Sequence, residues 1–81
     1  MANNNTSGSD SFDLYAWDNH EGERIDIQVD YDGYVEAHAS DMTIEAVINL
    51  DSGEEINFSD LPKDAQKELV KLAYDHLEGN N

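Results

Sequence analysis

The sequence predicts an α+β domain in which an antiparallel β-meander of four to five strands packs on one C-terminal α-helix. Three observations lead there. Apolar and polar residues alternate through most of residues 12–58, the period of strands with one buried face. The period then lengthens to helical spacing at Leu61, Ala65, Leu69, Leu72, Ala73 and His76 or Leu77. Between the alternating runs stand Asp-Gly and Ser-Gly pairs that favour tight turns. A helix from about Pro62 to Glu78 spans about 25 Å at 1.5 Å per residue. A seven-residue strand at about 3.4 Å per residue is nearly as long, so one helix covers one sheet face and leaves the other in solvent.

Residues 1–10 are polar Asn, Ser, Thr and Gly without apolar periodicity, so they are expected to form a flexible tail. Residues 11–81 form the single domain. Its first strand carries Phe12, Leu14 and Ala16, alternating with Asp13, Tyr15 and Trp17. Either set fits a core; the more apolar first set is favoured, which exposes Tyr15 and Trp17 unless Trp17 packs over the sheet edge. Residues 18–23 form a loop. The next runs are Ile25, Ile27, Val29; Val35, Ala37, Ala39; Ile44, Ala46, Ile48, Leu50; and Ile56, Phe58.

Two three-residue hairpin loops ending in glycine, Tyr31-Asp32-Gly33 and Asp51-Ser52-Gly53, set the expected register. Asp30 then faces Tyr34, Val29 faces Val35, Ile27 faces Ala37, and Asp26 faces His38. In the second hairpin Ile48 faces Ile56 and Ala46 faces Phe58. A two-residue Asp32-Gly33 loop would place Val29 opposite Glu36, sending one strand's apolar set to the wrong face. Ser59-Asp60 are the expected helix caps, Pro62 occupies the first turn, and Gly79 ends the helix.

Charge is the outstanding feature: 19 Asp and Glu against 4 Lys and Arg give a formal net charge of −15. Residues 1–58 hold fourteen acids and only Arg24, whereas residues 59–81 hold five acids and Lys63, Lys67 and Lys71. Such a field repels nucleic acid and anionic membranes and steers basic partners toward the strands. The lysines, four residues apart, are expected to lie in solvent beside Asp64 and Glu68, with Asp64–Lys67 and Glu68–Lys71 pairs each contributing about 0.2–0.5 kcal/mol.

An 81-residue chain buries only about 60% of its unfolded surface, leaving little core around which to build a deep cleft. Without cysteine, neither disulfides nor thiolate metal sites form. His20, His38 and His76 share no ligand spacing, and Asp30-Tyr31-Asp32-Gly33 lacks the remaining positions of a calcium loop. No metal, cofactor or catalytic centre is expected, and no apolar run reaches membrane-spanning length. The polar start, without a basic, apolar leader pattern, points to the cytoplasm.

Parity places Asp26, Gln28, Asp30, Tyr34, Glu36, His38, Glu45, Val47, Asn49, Glu55 and Asn57 on the open sheet face. Carboxylates two residues apart on a strand stand about 6.8 Å apart, close to the spacing of successive phosphates along one nucleic-acid strand. The expected partner-binding residues are Asp26, Asp30, Asp32, Glu36, Glu45 and Glu55 for charge, with Tyr15, Trp17 and Tyr34 as the contacts that select a partner.

From Met42 to Glu78 run an alternating strand, an Asp-x-Gly turn, a short strand, and Ser59-Asp60-Leu61-Pro62 opening a helix that ends Leu77-Glu78. This stretch resembles the small acidic proteins encoded by bacteriophages and mobile elements. The resemblance implies the strategy of anti-CRISPR and anti-restriction proteins, DNA mimics among them: inside a bacterial host, a compact acidic fold occupies the basic nucleic-acid-binding surface of a defence protein or ribonucleoprotein complex. The lysine row departs from an all-acidic pattern and removes the helix face from any such surface. The alternative is an accessory protein-interaction module whose acidity serves only solubility.

Overall fold

A computed structural model of the chain describes residues 6–36 and 38–79. Four strands, β1 (Thr6–Asp18), β2 (Arg24–Val35), β3 (Ser40–Asn49) and β4 (Glu55–Ile56), are followed by a 3-10 turn (Phe58–Asp60) and helix α1 (Lys63–Gly79). The sheet order is β1-β2-β3-β4 and every pairing is antiparallel, so the expected meander on a C-terminal helix is the architecture, with four strands.

Strict alternation on β2 organises the core. Ile27, Val29 and Tyr31 are buried, while Asp26, Gln28 and Asp30 between them point to the opposite face. From α1 the matching residues are Ala65, Leu69, Ala73 and Leu77, one every four positions, which places them along a single stripe. Each fully buried Ile, Val or Leu contributes about 1.5–3 kcal/mol over its exposed state.

The first hairpin differs from expectation. Tyr31, Asp32 and Gly33 do not turn; β2 runs through them to Val35, and the chain reverses at residues 36–39, where Glu36 N–H donates to the Ala39 carbonyl at 2.7 Å. Extending β2 keeps Tyr31 in the inward frame, where its ring is buried and its hydroxyl lies 2.8 Å from His76 Nδ1. Phe12 stacks on that imidazole at 5.3 Å. A turn would have surrendered this burial. Val29 therefore sits between Phe12 and Val47 rather than opposite Val35, Ile27 lies between Leu14 and Asn49, and Asp30 lies between Ser11 and Ala46 rather than opposite Tyr34. His38 lies in the turn, away from Asp26, and Ala37 lies outside the described residues. Gly33 has a strand role instead: a Cβ there would approach the Asp41 carbonyl oxygen to 2.7 Å and Met42 Cε to 2.8 Å, so two backbones approach too closely for a side chain.

At the second hairpin Gly53 has the expected left-handed backbone (φ 78°), but the loop is one residue longer. Asn49 N–H donates to the Glu54 carbonyl at 2.8 Å, which brings Val47 opposite Ile56 and Ile48 opposite Glu55. Ile48–Ile56 and Ala46–Phe58 are not partners. The Asn49 side-chain oxygen accepts from the Asp51 and Ser52 N–H groups at 2.9 and 3.1 Å, stabilising the longer turn. Phe58 leaves the sheet for the 3-10 turn, which limits β4 to two residues. The expected separate strand at Val35, Ala37 and Ala39 is the one not found among the described residues, because Val35 closes β2 and β3 begins at Ser40.

Two bulges reverse side-chain parity. On β1, Leu14 pairs with Ile27 and Trp17 with Ile25, leaving Tyr15 and Ala16 opposite Asp26. Ala16 adopts φ 53°, and its N–H donates to Asp26 Oδ1 at 2.8 Å. The extra residue turns Trp17 inward, where it is 6% exposed; its expected exposure is thereby overturned. On β3 the register skips Glu45 between Ile44 and Ala46. Val47, expected on the open face, is consequently fully buried.

The polar start also differs. β1 begins at Thr6, with Ser7 to Asp10 paired with Tyr34 to Tyr31, because ladder hydrogen bonds come from the backbone and need no apolar side chain. Residues 1–5 lie outside the described residues. Ser59 and Asp60 do not cap α1: they lie within the 3-10 turn, which Asn57 caps by accepting from Ser59 N–H at 3.1 Å. Leu61 is extended (φ −74°, ψ 151°), as the residue before a proline must be. The Pro62 carbonyl then accepts the Gln66 N–H at 3.0 Å.

Burial raises the pKa of the Tyr31 phenol, and the Asp10 carboxylate adds to the shift. Because the folded pKa lies above the unfolded value near 10, the associated stability is complete below that pH and is lost as pH rises toward the folded pKa. Urea melts at several pH values above about 10 are expected to show a steeper alkaline loss for the natural chain than for Tyr31→Phe. Equal slopes would mean that the phenol ionises as freely folded as unfolded.

Candidate functional site: the acidic sheet face

The face of the sheet away from α1 is built on β2, whose outward residues are Asp26, Gln28, Asp30, Asp32 and Tyr34. The register places Asp13 and Ile48 beside Gln28, Ser11 and Ala46 beside Asp30, Ser9 and Thr43 beside Asp32, and Ser7 and Asp41 beside Tyr34. Glu55 continues the Gln28 row on β4. Successive outward positions on β2 are about 6.8 Å apart, so Asp30 and Asp32 stand one such step apart and Asp26 two steps from Asp30. The neighbours are mostly small and hydroxylated, and Asp32 is exposed while Asp26 and Asp30 are half-buried.

The two outward tyrosines occupy opposite ends of this column. Tyr15, at the β1 bulge, is 71% exposed, and its hydroxyl donates to Asp13 Oδ2 at 3.2 Å. The charge of Asp13 and that hydrogen bond raise the Tyr15 pKa, with smaller contributions from burial and from Asp26; its phenol stays neutral and able to donate. Tyr34, at the far end, lines a shallow depression of about 340 Å³ with Ser7, Gly8, Asp32, Gly33, Asp41 and Thr43.

Of the sequence-predicted residues, the structure brings together Asp26, Asp30, Asp32 and Tyr34 on one strand, with Tyr15 beside Asp26. Glu55 joins at the edge. Glu36 is exposed in the β2–β3 turn and Glu45 is exposed at the β3 bulge, each displaced from the central column. Trp17 does not belong: its Nε1 donates to Glu68 Oε1 at 2.9 Å beneath the helix. Sequence reasoning missed Asp41, because the misplaced turn hid its position opposite Tyr34. Asp13 alternates with Phe12 and Leu14, a signal sufficient to find it.

Glu68 also lies 3.3 Å from His20 Nε2, the only ion pair within 4.0 Å among the described residues. The expected Asp64–Lys67 and Glu68–Lys71 pairs are therefore not formed; Glu68 turns to the tryptophan and histidine instead. Among the described residues, no three His, Asp or Glu side chains converge to hold a metal ion, and no helix is long and apolar enough to cross a membrane. Comparison with protein-family models, curated proteins and solved structures finds no match to this chain.

Proposed function

We propose that this protein is an inhibitor that acts by occlusion, laying its acidic sheet face over the basic nucleic-acid-binding surface of a host defence protein or ribonucleoprotein complex. The observation that supports this reading is the β2 column, where Asp26, Asp30 and Asp32 alternate with buried Ile27, Val29 and Tyr31. Core packing of the alternate residues fixes the backbone that carries those carboxylates at strand spacing, so little backbone freedom is lost when they meet a basic surface. Charge supplies rate and orientation, and Tyr15 and Tyr34 supply discrimination among basic partners.

The test begins with capture from a bacterial lysate at low salt, followed by challenge of each complex with duplex DNA and guide-type RNA. Occlusion requires release by nucleic acid and a steep loss of affinity as salt rises from about 50 to 200 mM. Asp26 is unsuitable for substitution because it also holds the β1 bulge. The combined Asp30→Asn, Asp32→Asn, Asp41→Asn variant is expected to bind the captured partner at least about tenfold more weakly, or about 1.4 kcal/mol, with an unchanged circular dichroism spectrum. A partner indifferent to salt, nucleic acid and these substitutions would sink the proposal and favour an accessory interaction module.

A further inference from the structure

Three of the four basic residues of the chain, Lys63, Lys67 and Lys71, border one feature. They line a surface groove of about 530 Å³ with Phe58, Gln66, Val70, Tyr74 and Asp75. Phe58 follows β4 directly, which puts the groove on the β4 side of α1, away from Trp17 and His20. Phe58, Val70 and Tyr74 are each only half-buried, so apolar surface remains uncovered between the lysines. Among the described residues, none of the three lysines has an ion-pair partner within 4.0 Å.

We propose that this groove docks an amphipathic helix of a partner protein, its apolar stripe on Phe58, Val70 and Tyr74 and its flanking glutamates on the lysine row. Spacing supports a helical occupant. Lysines four residues apart rise about 6 Å per step along α1, the same step that separates glutamates at i and i+4 on a second helix lying alongside. From Lys63 to Lys71 the row covers about 12 Å, two turns of the occupant, a scale at which helices seat in grooves. Charge complementarity selects the occupant. A second copy of this chain would bring its own net charge of −15, and nucleic acid offers no apolar stripe for the floor. The outward acids of the sheet face lie on the far side of the sheet from α1 and are screened over a Debye length of about 8 Å at physiological salt, and within the groove the three lysines outnumber its one acid, Asp75. This surface is separate from the acidic face and does not depend on its role.

A helical-peptide display library with a fixed Leu stripe and flanking positions drawn from Glu, Gln and Lys, selected on the folded domain at physiological salt, tests the assignment. Glutamate is expected to be enriched at flanking positions four apart, and the selected peptides to bind at least about tenfold more weakly, about 1.4 kcal/mol, to the Lys63→Gln, Lys67→Gln, Lys71→Gln variant. Val70→Ser is expected to weaken them independently, with the circular dichroism of both variants unchanged. Enrichment of lysine, absence of enrichment, or equal binding to the lysine variant overturns the proposal. So does dimerisation of the domain that Val70→Ser abolishes, which would give the groove to a second copy.

Discussion

Replacing Trp17 by alanine is expected to lower the unfolding free energy by about 3–5 kcal/mol, the usual loss for a large aromatic removed from a core. The ring is 6% exposed and packs in one cluster with Ile27, Val29, Val47, Leu61, Ala65 and Leu69. A chain of this length holds only about 4–12 kcal/mol in total, so the variant is expected to be partly unfolded at room temperature. Trp17→Phe keeps most of the ring and removes the hydrogen bond to Glu68, with a loss nearer 1 kcal/mol, roughly that of one hydrogen bond. Urea denaturation followed by far-ultraviolet circular dichroism measures both. An alanine variant as stable as the natural chain would return Trp17 to the surface, as a regular first strand would have it.

A comparable effect is expected at Val47→Asp. Val47 is fully buried between β2 and the helix, so a carboxylate there is either ionised without a partner or protonated at a cost. A loss of at least about 3 kcal/mol follows, in the range of an unpaired buried charge. Thr43→Asn, on an exposed position of the same strand, is expected to change stability by less than about 0.5 kcal/mol. A regular β3 places both Val47 and Thr43 in solvent and predicts that both substitutions are tolerated, so Val47→Asp tests the bulge and Thr43→Asn serves as its control. Tolerance of Val47→Asp would show that β3 pairs without a bulge.

The helix was legible in the sequence because Ala65, Leu69, Ala73 and Leu77 repeat at the period that buries them. The acidic column on β2 was legible for the same kind of reason: Asp26 and Asp30 alternate with Ile25, Ile27 and Val29 in a run that admits only one buried face. The remainder was hidden by backbone events that local residue patterns do not encode. Asp32-Gly33 has ordinary turn chemistry, yet the burial of Tyr31 against His76, forty-five positions away, outweighs it. The exposure of Trp17 depended on an unbroken period of two through residues 14–17, and an alanine in the left-handed region at position 16 gives no warning of a bulge. Removal of Glu68 from the lysine row likewise depends on Trp17, a contact across fifty-one positions.

The β3 bulge determines how this sheet accommodates changes in strand length. Met42, Ile44, Ala46 and Ile48 would form a continuous apolar set in an unbulged strand, whereas the bulged strand buries Met42, Ile44 and Val47 at least partly. β3 thus carries two apolar reading frames and adopts the one that its neighbour enforces. The central part of β2 carries only one, since shifting it by a single position would bury Asp26, Gln28 and Asp30. Loss of one residue in β3 can be absorbed by erasing the bulge, while the same change within β2 reverses the polarity of the sheet. The sheet therefore places its tolerance for length changes in the bulged strands β1 and β3, and keeps the strand that bears the acids under the strictest constraint on length.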